Sequence, residues 1–321
     1  RKNMNNLKKI GLTALAGSLV VTSAFAGELT ATGAASMGVA NITGTADDGK
    51  GKNFTMGNSV YLAGSGELDN GMTVSMSFEF DNGALSTSTV AGPFDNHYVE
   101  VGSDALGTLR LSGHGGSSAQ GAMDTTAAGD LWNNTLGLTG GPAAAASGDN
   151  SLFYTLPALV DGVAVTASLA PGGTAGTNAS THMSYGVSYT GVEGLTVNFG
   201  VGDSGVQGAE VDHTTISASY ALGSLTLSVS RTDIDNAGAT ADKEWDSYQV
   251  AYTISENISA TYGSETVDTS TSSVDEEVTG FGVSYTTGGM TISASQINAE
   301  GGGNEAAADT DRWSLSAAFA F

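Results

Sequence analysis

From Gly27 onward, apolar and polar residues alternate along the chain with a period of two. Between positions 72 and 80, the even positions hold Met, Val, Met, Phe and Phe, whereas the odd positions hold Thr, Ser, Ser and Glu. The stretch 224–230 repeats this alternation, with Leu and Val set against Ser and Thr. Successive side chains of a β-strand point to opposite faces, so the pattern predicts strands with one apolar and one polar face.

Short turns and long polar segments alternate between these strands. Seven tight turns are predicted at 69–71, 103–107, 160–162, 191–194, 222–224, 255–257 and 287–289. Eight longer polar segments lie at 41–56, 83–95, 116–150, 172–182, 204–213, 234–243, 268–276 and 299–310. Together they separate sixteen strands of about ten residues each. This layout is typical of a membrane β-barrel, because only closure satisfies every backbone group in lipid.

The first 26 residues have the features of an export signal. Lys8 and Lys9 precede an apolar run at 10–21, and small residues follow up to Ala26. The run is shorter than the roughly 20 residues of a membrane-spanning helix, so the pattern favours a cleaved secretory signal peptide over an anchor. We therefore expect upstream residues and a signal peptide at 1–26, and a single β-barrel domain at 27–321.

The balance of charge and the lack of cysteine exclude several functions. The chain has 33 acidic and 10 basic residues, with a formal charge of −23. Four of the basic residues lie in the predicted signal region, which makes the remainder more acidic still. Nucleic-acid binding depends on Lys and Arg at phosphates, so we expect no nucleic acid as a partner. With no cysteine in the sequence, disulfides and thiolate chemistry are excluded.

Two stretches carry motifs that are more specific than the alternation. The chain ends in Phe321, with apolar residues at alternate positions before it, at Trp313, Leu315 and Phe319. In the stretch HYVEVGSDALGTLRLSG, 97–113, a Leu-Gly-Thr turn leads to a strand ending in Gly. With these two motifs, the chain resembles Gram-negative general diffusion porins, in particular the alphaproteobacterial type. By this resemblance, Phe321, Phe319, Leu315 and Trp313 form the signal that the barrel-assembly machinery reads.

The resemblance implies an architecture and a location. The expected fold is all-β: a sixteen-stranded antiparallel transmembrane β-barrel with short periplasmic turns, long external loops and a long third loop folded into the lumen. Such proteins are homotrimers in the bacterial outer membrane, in contact with lipid and lipopolysaccharide. The first strand has several small residues on its outward face, which suits close contact between subunits. Its outward positions are Leu29, Ala31, Gly33, Ala35, Met37 and Val39.

The expected function is a water-filled channel for the passive diffusion of ions and small hydrophilic solutes, since sixteen strands enclose water. In the porins that the chain resembles, the third long loop forms the constriction. That loop corresponds to 116–150 and has no basic residue. Its acidic residues are Asp124, Asp130 and Asp149.

The odd or even position of a residue within a predicted strand decides which face it lies on, and this places further residues on the lumen side of the wall. These predicted pore-lining residues are Glu79, Tyr98, Glu100, Arg110 and His114. The family often has Arg after the Gly at 113, where this chain has His114, so Arg110 is the one clear basic residue beside the loop. An acidic lumen concentrates cations, and we therefore expect the channel to prefer them.

One acidic segment partly matches a calcium-binding loop. Asp233, Asp235 and Glu244 take positions 1, 3 and 12 of the template, with Gly238 at position 6. Position 5 is Ala237, and the flanks read as strands instead of helices, so a solvated acidic hairpin is the competing interpretation. Weakly bound calcium is thus the one candidate cofactor.

Two other functions stay open at this point. A secreted or surface-layer structural or adhesive β-protein would also be acidic, rich in Gly and Thr, and free of cysteine. A barrel hydrolase would need His97 or His114 near Glu100 as a base and one of many serines as the nucleophile. The terminal Phe321 and the alternation of turns and loops favour the channel, and we therefore expect no enzyme activity.

Overall fold

The computed structural model describes residues 29–44, 51–81, 95–123, 125–128, 131, 138, 140–172, 180–206, 208–305 and 308–321. The predicted signal peptide, Asp124 and Asp130 lie outside these described residues. Within them, no helix is long and apolar enough to cross a membrane. One 3-10 turn occurs at Gly302–Asn304.

Sixteen strands follow one another along the described chain. They are β1 (Leu29–Gly44), β2 (Gly51–Glu67), β3 (Thr73–Asp81), β4 (His97–Ser103), β5 (Gly107–His114), β6 (Ser151–Thr155), β7 (Val163–Ala170), β8 (His182–Tyr189), β9 (Leu195–Val206), β10 (Ala209–Leu222), β11 (Leu225–Asn236), β12 (Lys243–Ser255), β13 (Ile258–Thr269), β14 (Glu276–Thr287), β15 (Met290–Glu300) and β16 (Thr310–Ala320).

The sheet closes on itself. Every strand pairs antiparallel with its neighbours in sequence, and β1 pairs with β16 from Ala34 opposite Ala320 to Gly44 opposite Thr310. Phe321 extends this seam, because its backbone N and O bond to Gly33 at 2.9 and 2.6 Å. Closure leaves no unpaired sheet edge, which is the condition for a β-structure in lipid. The predicted sixteen-stranded antiparallel barrel is therefore confirmed.

Burial in this barrel is the reverse of that in a soluble protein. On β11, the apolar side chains of Leu227 and Val229 are 45% and 56% exposed, whereas Ser230 and Thr232 are 6% and 0% exposed. Paired residues of adjacent strands share a face, so the same division continues around the sheet. An apolar outer face and a polar inner face fit a barrel with lipid outside and water within.

The short turns lie where the alternation predicts them. Several end in a glycine with positive φ, which L-residues with a side chain rarely adopt. Gly107, between β4 and β5, has a φ of 74°, and a Cβ there would lie 2.1 Å from the carbonyl oxygen of Thr155. Glycine is therefore required at this turn both by the backbone conformation and by the neighbouring strand.

Four of the segments predicted as loops include residues that belong to strands in the structure. These segments are 41–56, 204–213, 234–243 and 268–276. β1 and β2 are separated by 45–50, and β9 and β10 by 207–208. The strands continue through polar residues because their backbones still pair there: Asp212 lies opposite Asp203 on β9 and opposite Asp235 on β11. Polar residues on both faces indicate where a strand leaves the lipid, and the strands remain paired beyond that point.

Candidate pore and its inner wall

A segment of the chain passes along the inside of the barrel. This inserted segment comprises the described residues between β5 and β6, namely 115–123, 125–128, 131, 138 and 140–150. Its backbone donates hydrogen bonds to inward-facing hydroxyl groups. The N–H of Ala119 donates to Ser168 and Ser184 at 2.9 and 2.8 Å, and that of Ala127 donates to Ser230 at 2.9 Å.

Gln120 joins the two limbs of the inserted segment to the wall and to each other. Its side chain is fully buried. The Nε2 atom donates to Oγ1 of Thr215 on β10 at 2.8 Å, and Oε1 accepts the N–H of Ala145, on the returning limb, at 2.8 Å. His213 contacts the same limb, with Nδ1 3.0 Å from the carbonyl oxygen of Ala143.

Glycines in the wall leave room for the inserted segment. A Cβ on Gly200 would lie 2.9 Å from the Cα of Gln120, and one on Gly263 would lie 2.9 Å from the Cβ of Ala128. A Cβ on Gly280 would lie 2.6 Å from Cδ2 of Leu131. Real Cβ atoms do not approach other carbon atoms so closely, so a larger residue at any of these positions would displace the segment.

An apolar cluster holds the far end of the inserted segment. It is formed by Ile42, Leu138, Ile234, Trp245, Val267, Val278, Ile297 and Ala299, with Leu131 and Val211 packed against it. The strand residues of this cluster are on the inward face, since Trp245 pairs with the inward-facing Thr232. Trp245 also donates its indole N–H to the carbonyl oxygen of Gly140 at 3.2 Å. At this end of the segment, the covered wall therefore carries large apolar side chains.

Tyr98, Glu100 and Arg110 form a compact group on the opposite part of the wall. Glu100 and Arg110 are directly paired across β4 and β5. The Nε and Nη2 atoms of Arg110 both lie 2.9 Å from Oε2 of Glu100. The guanidinium carbon is 4.0 Å from the ring centroid of Tyr98, a cation–π contact. The cation is therefore fixed in place and offset by an adjacent carboxylate.

This group lines a cavity of about 330 Å³ between β4–β6 and the first residues of the inserted segment. Phe153, which pairs with Arg110, and the two histidines His97 and His114 also line it. Nε2 of His114 is 3.7 Å from Oδ1 of Asp149, whose side chain is 62% exposed. The structure thus brings together Tyr98, Glu100, Arg110, His114 and, at its margin, Asp149.

Glu79 is set apart from the other predicted wall residues. It lies on the inward face of β3 but is only 8% exposed. Tyr61 donates its hydroxyl to Oε1 at 2.5 Å, and Asn96 donates Nδ2 to Oε2 at 2.6 Å. The carboxylate is thus bonded within the wall and offers little surface to water. Asp124 and Asp130 lie outside the described residues, so their placement stays a prediction.

Two basic residues of the inner wall were not among the predicted site residues. Lys243 pairs with Ile234 and Arg312 pairs with Ile297, which places both on the inward face. Nζ of Lys243 is 6.0 Å from the ring centroid of Trp245. Both residues fall within or just beyond segments predicted as loops. Extending the alternation through the polar strand ends would have identified them.

The three carboxylates of the calcium template lie on adjacent strands instead of in one loop. Asp233 pairs with Glu244 across β11 and β12, and Asp235 pairs with Asp212 on β10. Arg231 lies 3.1 Å from Glu244 through Nη2 and donates Nε to Asp246 at 2.8 Å. Within the described residues, no group of three or more His, Asp or Glu is arranged to hold a metal ion. Calcium binding here stays a prediction.

The outer surface around β1 combines small and large apolar side chains. Met37 on β1 and its neighbours Met56 and Phe54 on β2 are 60%, 74% and 82% exposed. Met37 and Phe54 line a groove of about 500 Å³ with residues of β15 and β16. Gly33 lies beneath the ring of Phe321, because a Cβ there would be 2.4 Å from a ring carbon. One of the predicted small positions therefore seats the chain's own terminus.

A closed barrel with an apolar exterior, a polar interior and a segment fastened inside it defines a channel-forming outer-membrane protein. The sequence model of the Gram-negative porin family matches residues 11–320 of this chain. The chain belongs to this family, and its location is therefore the outer membrane. Family and fold point to a channel rather than to an enzyme.

Solved porin structures share the fold at low sequence identity. A porin refined at 1.8 Å resolution is 20% identical, with a TM-score of 0.68 over 92% of this chain and 100% of that chain. OmpT of Vibrio cholerae in a trimer form is 16% identical, with a TM-score of 0.67 over 92% and 100%. An anion-selective porin from Comamonas acidovorans is 14% identical, with a TM-score of 0.67 over 92% and 99%. No match was found among curated proteins.

Proposed function

We propose that this porin forms a cation-preferring channel for ions and small hydrophilic solutes. The observation that supports this preference is the bonding of Arg110 to Glu100 at 2.9 Å. Arg110 is the one permanently charged cation among the described residues that line the cavity beside the inserted segment. Because its charge is offset at contact distance, the excess of 33 acidic over 10 basic residues sets the sign of the field.

The sign of selectivity does not follow from the fold. A porin of the same architecture is anion-selective, so the preference of each porin depends on the charges at its own narrow section. Only charges within about a Debye length, near 8 Å at 0.15 M salt, act on a passing ion. We therefore assign the preference to carboxylates near the inserted segment other than Glu100, whose charge Arg110 offsets: Asp149 and, by our proposal, Asp124 and Asp130.

The test is the reversal potential of the reconstituted protein in a KCl gradient across a planar bilayer. We expect the wild-type channel to be more permeable to potassium than to chloride. Replacing both Asp124 and Asp130 with Asn should lower that permeability ratio, because two carboxylates are removed from the proposed constriction. As a control, Asp233→Asn removes a carboxylate from the outer face and should leave the ratio unchanged. An anion preference in the wild type would refute the proposal.

We also propose that the protein is a homotrimer that associates through the outer surface of β1 and β2. The argument is that Met37, Phe54 and Met56 project strongly beside the short side chains of Ala31 and Ala35. A surface with such projections and gaps packs poorly against acyl chains, whereas its small residues allow another protein surface to approach closely. A porin of similar fold, OmpT of Vibrio cholerae, has a trimer form.

A further inference from the structure

We infer that Gln120 is the positioning residue of the pore: it locks the inserted segment against β8–β10 and thereby fixes the cross-section left for ions. This inference rests on the proposed function of the segment as the constriction. It assigns the positioning of this constriction to one side chain, which carries no charge. Gln120 contacts neither Arg110 nor Glu100 in the cavity, so its effect on conduction is exerted through the backbone of the segment.

Three hydrogen bonds join this residue to the wall and to the returning limb. Its backbone N–H donates to Oγ of Ser184 on β8 at 3.3 Å. Its side-chain amide donates to Thr215 on β10 and accepts from the N–H of Ala145, each at 2.8 Å. A glutamine is needed for the last two bonds, because one group must donate to the wall and accept from the returning limb at once. Neither a carboxylate nor an aliphatic side chain provides both.

The surrounding wall is shaped for this side chain. Thr215 is fully buried and is held in turn by Thr232, with 2.9 Å between the two Oγ1 atoms. Gly200 lies under Gln120, where a Cβ would come within 2.9 Å of its Cα. Ala119, the preceding residue, is also fully buried and bonds Ser168 and Ser184. The segment is thus seated deepest at 119–120, and the returning limb is attached to it through Gln120.

Removing the side-chain amide should loosen the returning limb, which keeps the contacts of Ala143 with His213 and of Ala146 with Asp203. In Gln120→Ala the N–H of Ala145 loses its acceptor inside a buried site, and an unpaired buried donor is costly. We expect the undocked state of the segment to become at least about tenfold more populated. Thr215→Val removes the bond from Gln120 to the wall, together with the bond between Thr215 and Thr232, and keeps the bond between Gln120 and Ala145. It should give a smaller change in the same direction.

The absence of cysteine allows a direct measurement of docking. Ala119→Cys places a single thiol at a fully buried position of the segment. In the reconstituted full-length protein, we expect this thiol to react slowly with a water-soluble maleimide. Adding Gln120→Ala should raise the labelling rate at least about tenfold. The matched control is Ser295→Ala, which removes a wall hydroxyl that bonds Ser314 at 2.7 Å, and it should change the rate less than about twofold.

Single-channel recording separates this inference from the proposed function. A correctly folded Gln120→Ala variant, shown by heat-modifiable mobility on gels, should have altered conductance and increased open-channel noise. If adding Gln120→Ala changes neither the labelling rate nor the conductance of the Ala119→Cys protein, the inference is overturned while the channel function stands. If the wild type carries no current, the proposed function fails. Should Gln120→Ala not fold, Thr215→Val serves for both measurements, and wild-type values would overturn the inference equally.

Discussion

The ion pair between Glu100 and Arg110 gives the sharpest test of selectivity. Glu100→Gln would leave the guanidinium unopposed, and Arg110→Gln would leave the carboxylate unopposed. The two side chains are 26% and 40% exposed, so water and ions reach both. The variants each remove one charge of the same pair, and they change the local charge by one unit in opposite directions. They should therefore move the cation-to-anion permeability ratio in opposite directions.

The expected magnitude follows from Coulomb's law. An ion that passes about 4 Å from an unpaired charge in water interacts with it by roughly 1 kcal/mol. Screening with a Debye length of about 8 Å reduces this to roughly 0.6 kcal/mol, close to the thermal energy. Entry of one ion sign then falls by about 2.7-fold while that of the other rises equally, so the ratio changes by up to about sevenfold. In 1 M salt the Debye length is near 3 Å, and the change should shrink to about twofold.

The assay is the reversal potential of each variant in a KCl gradient, first near 0.15 M and then near 1 M salt. We expect Glu100→Gln to lower the cation-to-anion ratio and Arg110→Gln to raise it. The double variant should return close to the wild-type ratio, because both charges are gone. If both single variants change the ratio in the same direction, or if neither changes it at low salt, ions do not pass beside this pair and our account of selectivity is wrong.

Two further predictions concern the outer surface and the terminus. Phe54→Ser together with Met56→Ser should convert trimers into folded monomers in mild detergent, since both substitutions remove projecting side chains that would pack against the neighbouring subunit. Light scattering measures this, with Val229→Ser as the lipid-facing control, and an unchanged trimer would remove this surface from the interface. Phe321→Ala should lower the yield of heat-modifiable barrel in cells, because the ring no longer covers Gly33; a wild-type yield would contradict the assembly role.

The alternation of residues predicts the faces of the wall well. A period of two has only two possible phases in a strand, so a short stretch such as 72–80 is sufficient to decide which side chains point inward. The turn at 103–107 fixes the register of β4 and β5, and this places Glu100 opposite Arg110. The ion pair was therefore within reach of the sequence. The contact of Arg110 with the ring of Tyr98 depends on side-chain rotamers, and the sequence alone could not predict it.

The inserted segment could be located but not described from the sequence. Its length and its position as the third long connection indicated a functional loop. However, Gln120 lies in the stretch SSAQGAMD, which has no periodicity, and its partners Thr215 and Ala145 are distant in the chain. Nothing local distinguishes it from an exposed glutamine. Lys243 and Arg312 were missed for a different reason, since polar strand ends resemble loops when read alone.

The wall uses two kinds of attachment because the lumen has to stay wet. An apolar surface facing water would favour collapse of the segment or entry of lipid-like solutes. Near 119 and 127 the segment is therefore held by inward hydroxyl groups such as Ser184 and Ser230, which bond equally well to water when the segment is absent. Among the described residues, apolar attachment centres on the buried cluster around Trp245 and Leu138. The hydroxyl rows therefore hold the segment near 119 and 127 without placing apolar surface at those positions of the lumen, and by our inference Gln120 stabilises this docked position.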